Sequence, residues 1–278
     1  MIQLGEYNTL QAKREMPQGM YLMSLDDDEE VLLPSRFVKE HNIQLDQEVR
    51  VFVYTDSEDR LVATTQTPYV TLHKFAYLEV VDTNPFGAFL DWGLDKQLFV
   101  PYRNQKLKME VGRSYLIYLY EDEESDRLVG TAKYSKLLSK VVFGISVGDE
   151  VEIIVDHKTD LGMNVVVNNQ YSGLIYENEL FKKIQQGNKL SGFVKKIRED
   201  GKLDISLEPL GYKSIEPNAA FLLDYLKLNK GVVYLSDKSS PELIKDTLEM
   251  SKKNFKKAIG GLYKQRLIVI HEDRVELV

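Results

Sequence analysis

Residues 85–104 read PFGAFLDWGLDKQLFVPYRN, and residues 126–132 close the same stretch with DRLVGTA. Working outward in both directions, the pattern recurs. Residues 17–37 read PQGMYLMSLDDDEEVLLPSRF and are followed by DRLVATT at 59–65; residues 160–180 read DLGMNVVVNNQYSGLIYENEL and are followed by GKLDISL at 201–207. Gly19, Gly87 and Gly162 correspond, as do Arg60, Arg127 and Lys202. The glycine and the basic anchor shift together: by 68 and 67 residues from the first stretch to the second, and by 75 and 75 from the second to the third. Two separated anchors that keep register mark an internal repeat, which has to be recognised before any other reading of the fold.

Within the middle repeat, Leu78–Val81, Ala88–Asp91, Gln97–Val100, Ser114–Tyr120 and Arg127–Thr131 are rich in Val, Leu, Phe and Tyr and bounded by Gly, Pro, Asn and Asp. This composition predicts short strands. Five of them in about 65–75 residues is the size of a small Greek-key barrel of the OB type. The acidic runs Asp26–Glu30 and Glu121–Asp126 read as solvated hairpin tips, since neither has the ligand spacing of a calcium loop.

After Leu210 the periodicity changes. Asn218–Leu228 carries Phe221, Leu222, Tyr225 and Leu226 at helical spacing, and Val232–Leu235 reads as a strand. Ser240-Pro241-Glu242 is a helix start: a capping serine, a proline in the first turn and an acid at the positive end. Ser251 caps a further helix running to about Arg266, with Phe255, Ile259 and Leu262 as its apolar stripe. Leu267–His271 and Arg274–Val278 flank Glu272-Asp273 as a two-stranded wing. The order is that of a winged helix-turn-helix. The predicted fold is mainly β with a C-terminal α/β module, divided into three five-stranded OB-like barrels over 1–67, 68–142 and 143–212 and a winged helix over 213–278.

The chain has 278 residues, no cysteine and four scattered histidines, so disulfides, thiolate metal sites and a cysteine nucleophile are excluded. No cofactor or metal site is expected. No apolar run approaches the ~18 residues of a membrane span, and no signal peptide is visible at the N-terminus, so the expected location is the cytoplasm. There is no P-loop, GxGxxG or GxSxG, and the expectation is a protein that is not an enzyme. The net charge of −7 is unevenly spread: residues 1–70 hold 6 Lys and Arg against 13 Asp and Glu, whereas residues 211–278 hold 12 against 9. Any polyanion site has to be local.

Pro85-Phe86-Gly87-Ala88-Phe89-Leu90-Asp91 resembles the turn-and-strand signature of the S1 domain, the RNA-binding repeat of the largest small-subunit ribosomal protein. Ser172-Gly173-Leu174-Ile175-Tyr176 is similar to the Gly-Leu-Val-His segment of that domain, with Tyr176 in the histidine place, and Gly201–Leu207 to its closing strand. The first repeat departs from the signature with Gln18 and Tyr21, the third with Leu161 and Asn164, and Pro34 and Pro101 stand in the histidine place. Three such repeats before a winged helix resemble the conserved virulence factor B family. The resemblance implies RNA binding, single-stranded RNA above all, and control of gene expression. Duplex DNA bound by the winged helix, or a protein scaffold using the acidic first repeat, are the competing readings.

Such barrels bind single strands by stacking bases on exposed rings beside cations. The candidate residues in the middle repeat are Phe86, Phe89, Trp92, Lys96 and Arg103; strict alternation separates Phe86 from Phe89 unless the chain bends at Gly87. Trp92 has a core reading beside the stacking one. The third repeat offers Tyr176, Lys195 and Lys196, with Arg198 nearby. On the last helix, Lys253, Lys257 and Lys264 form a stripe flanked by Lys252 and Lys256, a face suited to phosphates. Gly260-Gly261 weakens that helix by roughly 1–2 kcal/mol relative to alanines, which a close backbone approach would explain. The acidic first repeat is expected to be dispensable for RNA affinity.

Overall fold

A computed structural model describes residues 1–25, 27–180, 183–209 and 217–278. Asp26, part of the first acidic tip, and the expected boundary near 213 lie outside the described residues. Two compact units emerge, Met1–Leu207 and Glu208–Val278.

The first unit contains three barrels of one plan. The first is built from β1 (Tyr7–Met16), β2 (Gly19–Met23), β3 (Glu30–Pro34), β4 (Glu48–Thr55) and β5 (Leu61–Thr64), with α1 (Ser35–Glu40) plugging it through Phe37. The second comprises β6 (Phe75–Asn84), β7 (Gly87–Leu90), β8 (Leu98–Pro101), β9 (Ser114–Asp122) and β10 (Arg127–Thr131); the third comprises β11 (Glu150–Thr159), β12 (Gly162–Val167), β13 (Tyr171–Tyr176), β14 (Lys189–Ile197) and β15 (Leu203–Ser206). The first and third are closed, in the order β1-β2-β3-β5-β4 and its equivalent. In the second, β8 and β10 run alongside each other without a ladder, leaving the barrel nearly closed. The opening strand of every barrel is bulged at the same place, between Ala12 and Arg14, Val80 and Asp82, and Val155 and Lys158. A bulge bends a strand and increases its twist, which lets one long strand serve both sides of a small barrel.

The repeated glycine has a steric cause. A Cβ on Gly19 would lie 2.0 Å from the Leu33 carbonyl oxygen, one on Gly162 2.0 Å from that of Ile175, and one on Gly87 2.4 Å from that of Val100. Each glycine lets the second strand press onto the third at the turn. Strand alternation then does the rest: Ala88 and Leu90, Leu98 and Val100 point inward and are fully or nearly fully buried.

The barrels share cores. Phe52, Tyr54 and Val62 of the first pack in one cluster with Trp92, Leu94 and Leu98 of the second. Phe75, Leu116 and Tyr134 of the second pack with Ile154 and Val166 of the third. Leu98 and Trp92 are 2 % exposed in that shared cluster, so the apolar joint is continuous with the barrel interior.

The second unit runs α2 (Pro217–Leu228), β16 (Val232–Val233), α3 (Pro241–Leu248), α4 (Lys252–Lys264), β17 (Ile268–Ile270) and β18 (Val275–Leu277), with the sheet ordered β16-β18-β17. Ser240 and Ser251 are the N-caps, their hydroxyls accepting from the amides of Leu243 and Asn254. Phe255, Ile259 and Leu262 are buried as the spacing predicts. Phe221 is not: α2 presents Ala219, Leu222, Leu223 and Leu226 inward, and Phe221 remains 49 % exposed. Around Gly260 and Gly261 nothing lies within 4 Å of a built Cβ, so no part of the described chain makes the close approach that the pair suggested. No helix of the described residues is long and apolar enough to cross a membrane.

Candidate nucleic-acid interface

The signature of the middle repeat forms one side of a cleft of about 760 Å³ between the first two barrels. Its shape starts with Asn84. The Asn84 side-chain oxygen accepts from the amides of Phe86 (2.8 Å) and Gly87 (3.1 Å), and the Asn84 carbonyl accepts from the Tyr102 hydroxyl at 2.8 Å. The Phe86 carbonyl accepts from the Tyr102 amide at 3.1 Å. The backbone of Phe86 is thus pinned while its ring is 72 % exposed. Phe89 faces outward on β7 opposite Phe99 on β8, their ring centroids 5.2 Å apart at 38°. Phe86, Phe89 and Phe99 all line the cleft. The turn at Gly87 therefore brings Phe86 and Phe89 to one surface despite alternation. Sequence reasoning missed Phe99, Asn84 and Tyr102; the outward position of Phe99 follows from its inward neighbours Leu98 and Val100.

Tyr54, Ser57 and Asp59 of the first barrel form the opposite wall. Two ion pairs join the barrels here: Asp59 with Arg127 across the cleft, and Asp95 with Arg36 of the first barrel. The first barrel, expected to be dispensable, is structurally half of this cleft.

Three residues of the middle repeat are placed differently from their expected roles. Trp92 is only 2 % exposed, with Phe52 and Tyr54 edge-on at 5.8 and 6.3 Å, and its indole N–H donates to the Lys96 carbonyl. A ring enclosed in this way presents no face to a base, and Trp92 belongs to the core. The Lys96 ammonium donates to the carbonyls of Thr55 (2.8 Å) and Asp56 (2.6 Å), tying the barrels together, and burial pulls its pKa below the usual lysine value. Arg103 pairs with Asp122 at 2.7 Å and Glu124 at 2.9 Å.

The third barrel is similarly self-neutralised on its equivalent face. The Tyr176 hydroxyl accepts from Arg198 at 3.0 Å, and Arg198 also pairs with the buried Asp204. Lys195 pairs with Glu179 at 2.5 Å. Lys196 is exposed and has no ion pair among the described residues. In the second unit, Lys253, Lys257 and Lys264 are exposed along α4 opposite the buried Phe255 face, with exposed Lys256 and half-buried Lys252 flanking them. Among the described residues no group of three His, Asp or Glu side chains is placed to hold a metal ion.

Residues 4–66 and 74–133 match the S1 domain, and residues 220–277 match the CvfB-like winged helix domain. Tandem S1 barrels ending in a winged helix, both of non-catalytic kinds, define a nucleic-acid-binding protein. Over nearly its whole length the chain is similar to the conserved virulence factor B family. It is 27 % identical over 265 residues to the conserved virulence factor B of Staphylococcus saprophyticus, covering 92 % of this chain and 89 % of that one. An uncharacterized protein of Bacillus subtilis is 27 % identical over 278 residues, covering 94 % and 89 %. A solved multidomain protein with nucleic acid binding domains from Streptococcus pneumoniae is 28 % identical, covering 99 % of this chain and 98 % of that one, with a TM-score of 0.46.

Proposed function

We propose that this protein binds single-stranded RNA in the cytoplasm and regulates gene expression after transcription. The observation that carries the reading is the three-ring surface of Phe86, Phe89 and Phe99, one ring 72 % exposed on a pinned backbone, lining a cleft of about 760 Å³. Each stacked base contributes about 1–3 kcal/mol and is sequence-tolerant. The charged groups lining the cleft are engaged with one another or with carbonyls, so stacking is its main offering. Phosphate attraction then comes from elsewhere, and the lysine face of α4 supports a share of it. A regulatory role is in keeping with the naming of the relatives as virulence factors.

Anisotropy titrations against single-stranded RNA, duplex RNA and duplex DNA over a range of salt test this. Single-stranded RNA is expected to bind most tightly. Lys253→Glu with Lys257→Glu is expected to flatten the salt slope by about one to two units. Preference for duplex DNA would transfer the function to the winged helix, and no binding to any of the three would leave a protein scaffold.

A further inference from the structure

A second groove lies between the second and third barrels, away from the three phenylalanines. It consists of two cavities of about 520 and 270 Å³ that share Lys106, Tyr134, Asp156 and His157. Its construction begins at a largely covered acid. Asp156, in the bulge of β11, has only 16 % of its side chain exposed. It accepts from the Tyr134 hydroxyl on one side and meets His157 Nδ1 at 2.7 Å on the other. Tyr134 is 3 % exposed, and burial pushes its pKa far above the usual tyrosine value, so its hydroxyl remains a donor. His157 Nε2 lies 3.2 Å from the Asn164 side-chain amide. The far wall is set by Gly201: at φ +76 it brings the β14–β15 turn onto the backbone of Lys140, where a Cβ would lie 1.9 Å from the Lys140 carbonyl oxygen.

The charges along this groove do not cancel. Asp156 is enclosed by its two partners, and Asp200 pairs with Lys202 at 3.0 Å. Lys106 and Lys140 are exposed and have no carboxylate partner among the described residues; the Lys106 ammonium rests 4.3 Å from the centre of the Tyr134 ring. Tyr77 and Tyr115 line the other end of the larger cavity beside Arg113. The first cleft offers rings with committed cations; this one offers uncommitted cations with rings at one end.

We propose that the groove between the second and third barrels is a second binding site, for the phosphodiester backbone of single-stranded RNA, with Lys106 and Lys140 as phosphate contacts on a floor that the Tyr134–Asp156–His157–Asn164 hydrogen bonds hold in place. It rests on the RNA-binding reading above and extends it from one cleft to a track over two barrel junctions. Phosphate contacts position a strand without reading its sequence.

The experiment uses the full chain, with fluorescein-labelled oligo(U) of about 8 and about 20 nucleotides, lengths chosen around the ~4–16 nucleotides that one such barrel spans. The variant Lys106→Ala with Lys140→Ala is expected to flatten the salt slope for the longer strand by about 1.4, two contacts at about 0.7 each, which is about 25-fold in affinity at 0.1 M salt. The short strand, which the phenylalanine cleft alone can hold, is expected to change much less. Lys106→Gln with Lys140→Gln, which keeps most of each stem, is expected to do the same with an unchanged unfolding midpoint. An unaltered slope in both variants, with the wild-type protein still dependent on Phe86, overturns the second site and leaves the RNA reading standing. If wild-type protein binds neither oligonucleotide, the RNA reading itself fails. Uridine monophosphate is the third probe: saturable binding that the double variant abolishes would reassign the groove to a free nucleotide.

Discussion

Phe86→Ala is expected to weaken binding while leaving the fold intact. The ring is 72 % exposed, and its backbone is held by hydrogen bonds to Asn84 and Tyr102 that alanine makes equally well. Full burial of a phenylalanine stabilises a fold by about 1.5–3 kcal/mol, so the covered remainder of this ring accounts for well under 1 kcal/mol. Loss of one stacked base costs about 1–3 kcal/mol, or roughly a 5- to 150-fold weaker Kd. Phe89 differs, because its ring is half-buried on Phe99. Phe89→Ala is therefore expected to weaken both binding and stability, and the two substitutions together to weaken binding further than either alone. The assay is anisotropy with single-stranded RNA at fixed salt, beside urea unfolding of the same preparations. Unchanged affinity in Phe86→Ala, with the fold intact, would refute stacking at this ring and with it the main support for the cleft.

Four further outcomes are expected. Gly260→Ala and Gly261→Ala meet open space in α4, so each is expected to stabilise the second unit by up to about 1 kcal/mol in thermal unfolding, and destabilisation by either would contradict the open helix face. Trp92, the sole tryptophan, is buried at the joint of the first two barrels, so its emission is expected to be blue-shifted and to report unfolding of the first unit; Trp92→Ala is expected to destabilise by about 3–5 kcal/mol, and a loss under about 1 kcal/mol would contradict its core assignment. Because burial holds the Tyr134 pKa above its unfolded value of about 10, its contribution is fully present below that pH and declines as pH rises past it; urea unfolding should show a smaller loss between pH 8 and 11 in Tyr134→Phe, and equal losses would refute the shift. Limited proteolysis is expected to cut between Leu207 and the second unit before it cuts near 68 or 143, since shared cores seal both barrel junctions; early cleavage at 68 would show that the first joint opens.

Fold and site differ in how far they can be read from the chain. Strand and helix positions depend on local periodicity and on anchors such as Gly87 and Ser251, whose reasons are steric or hydrogen-bonding and act within a few residues. The barrel plan was legible for that reason. A surface role depends on what lies opposite a side chain, and that partner is often far away in sequence. In sequence Lys96 reads as a phosphate contact, but the carbonyls of Thr55 and Asp56 hold its ammonium; Arg103 reads as uncommitted, but Asp122 and Glu124 pair with it.

The chain by itself determined three barrels and a winged helix, because repeat register, cap residues and alternation are local consequences of backbone geometry. It left Trp92 open between core and surface, and gave no sign of either groove. Only the tertiary structure decided these, because Trp92 is buried by rings from the neighbouring barrel, and a groove exists only where two barrels meet.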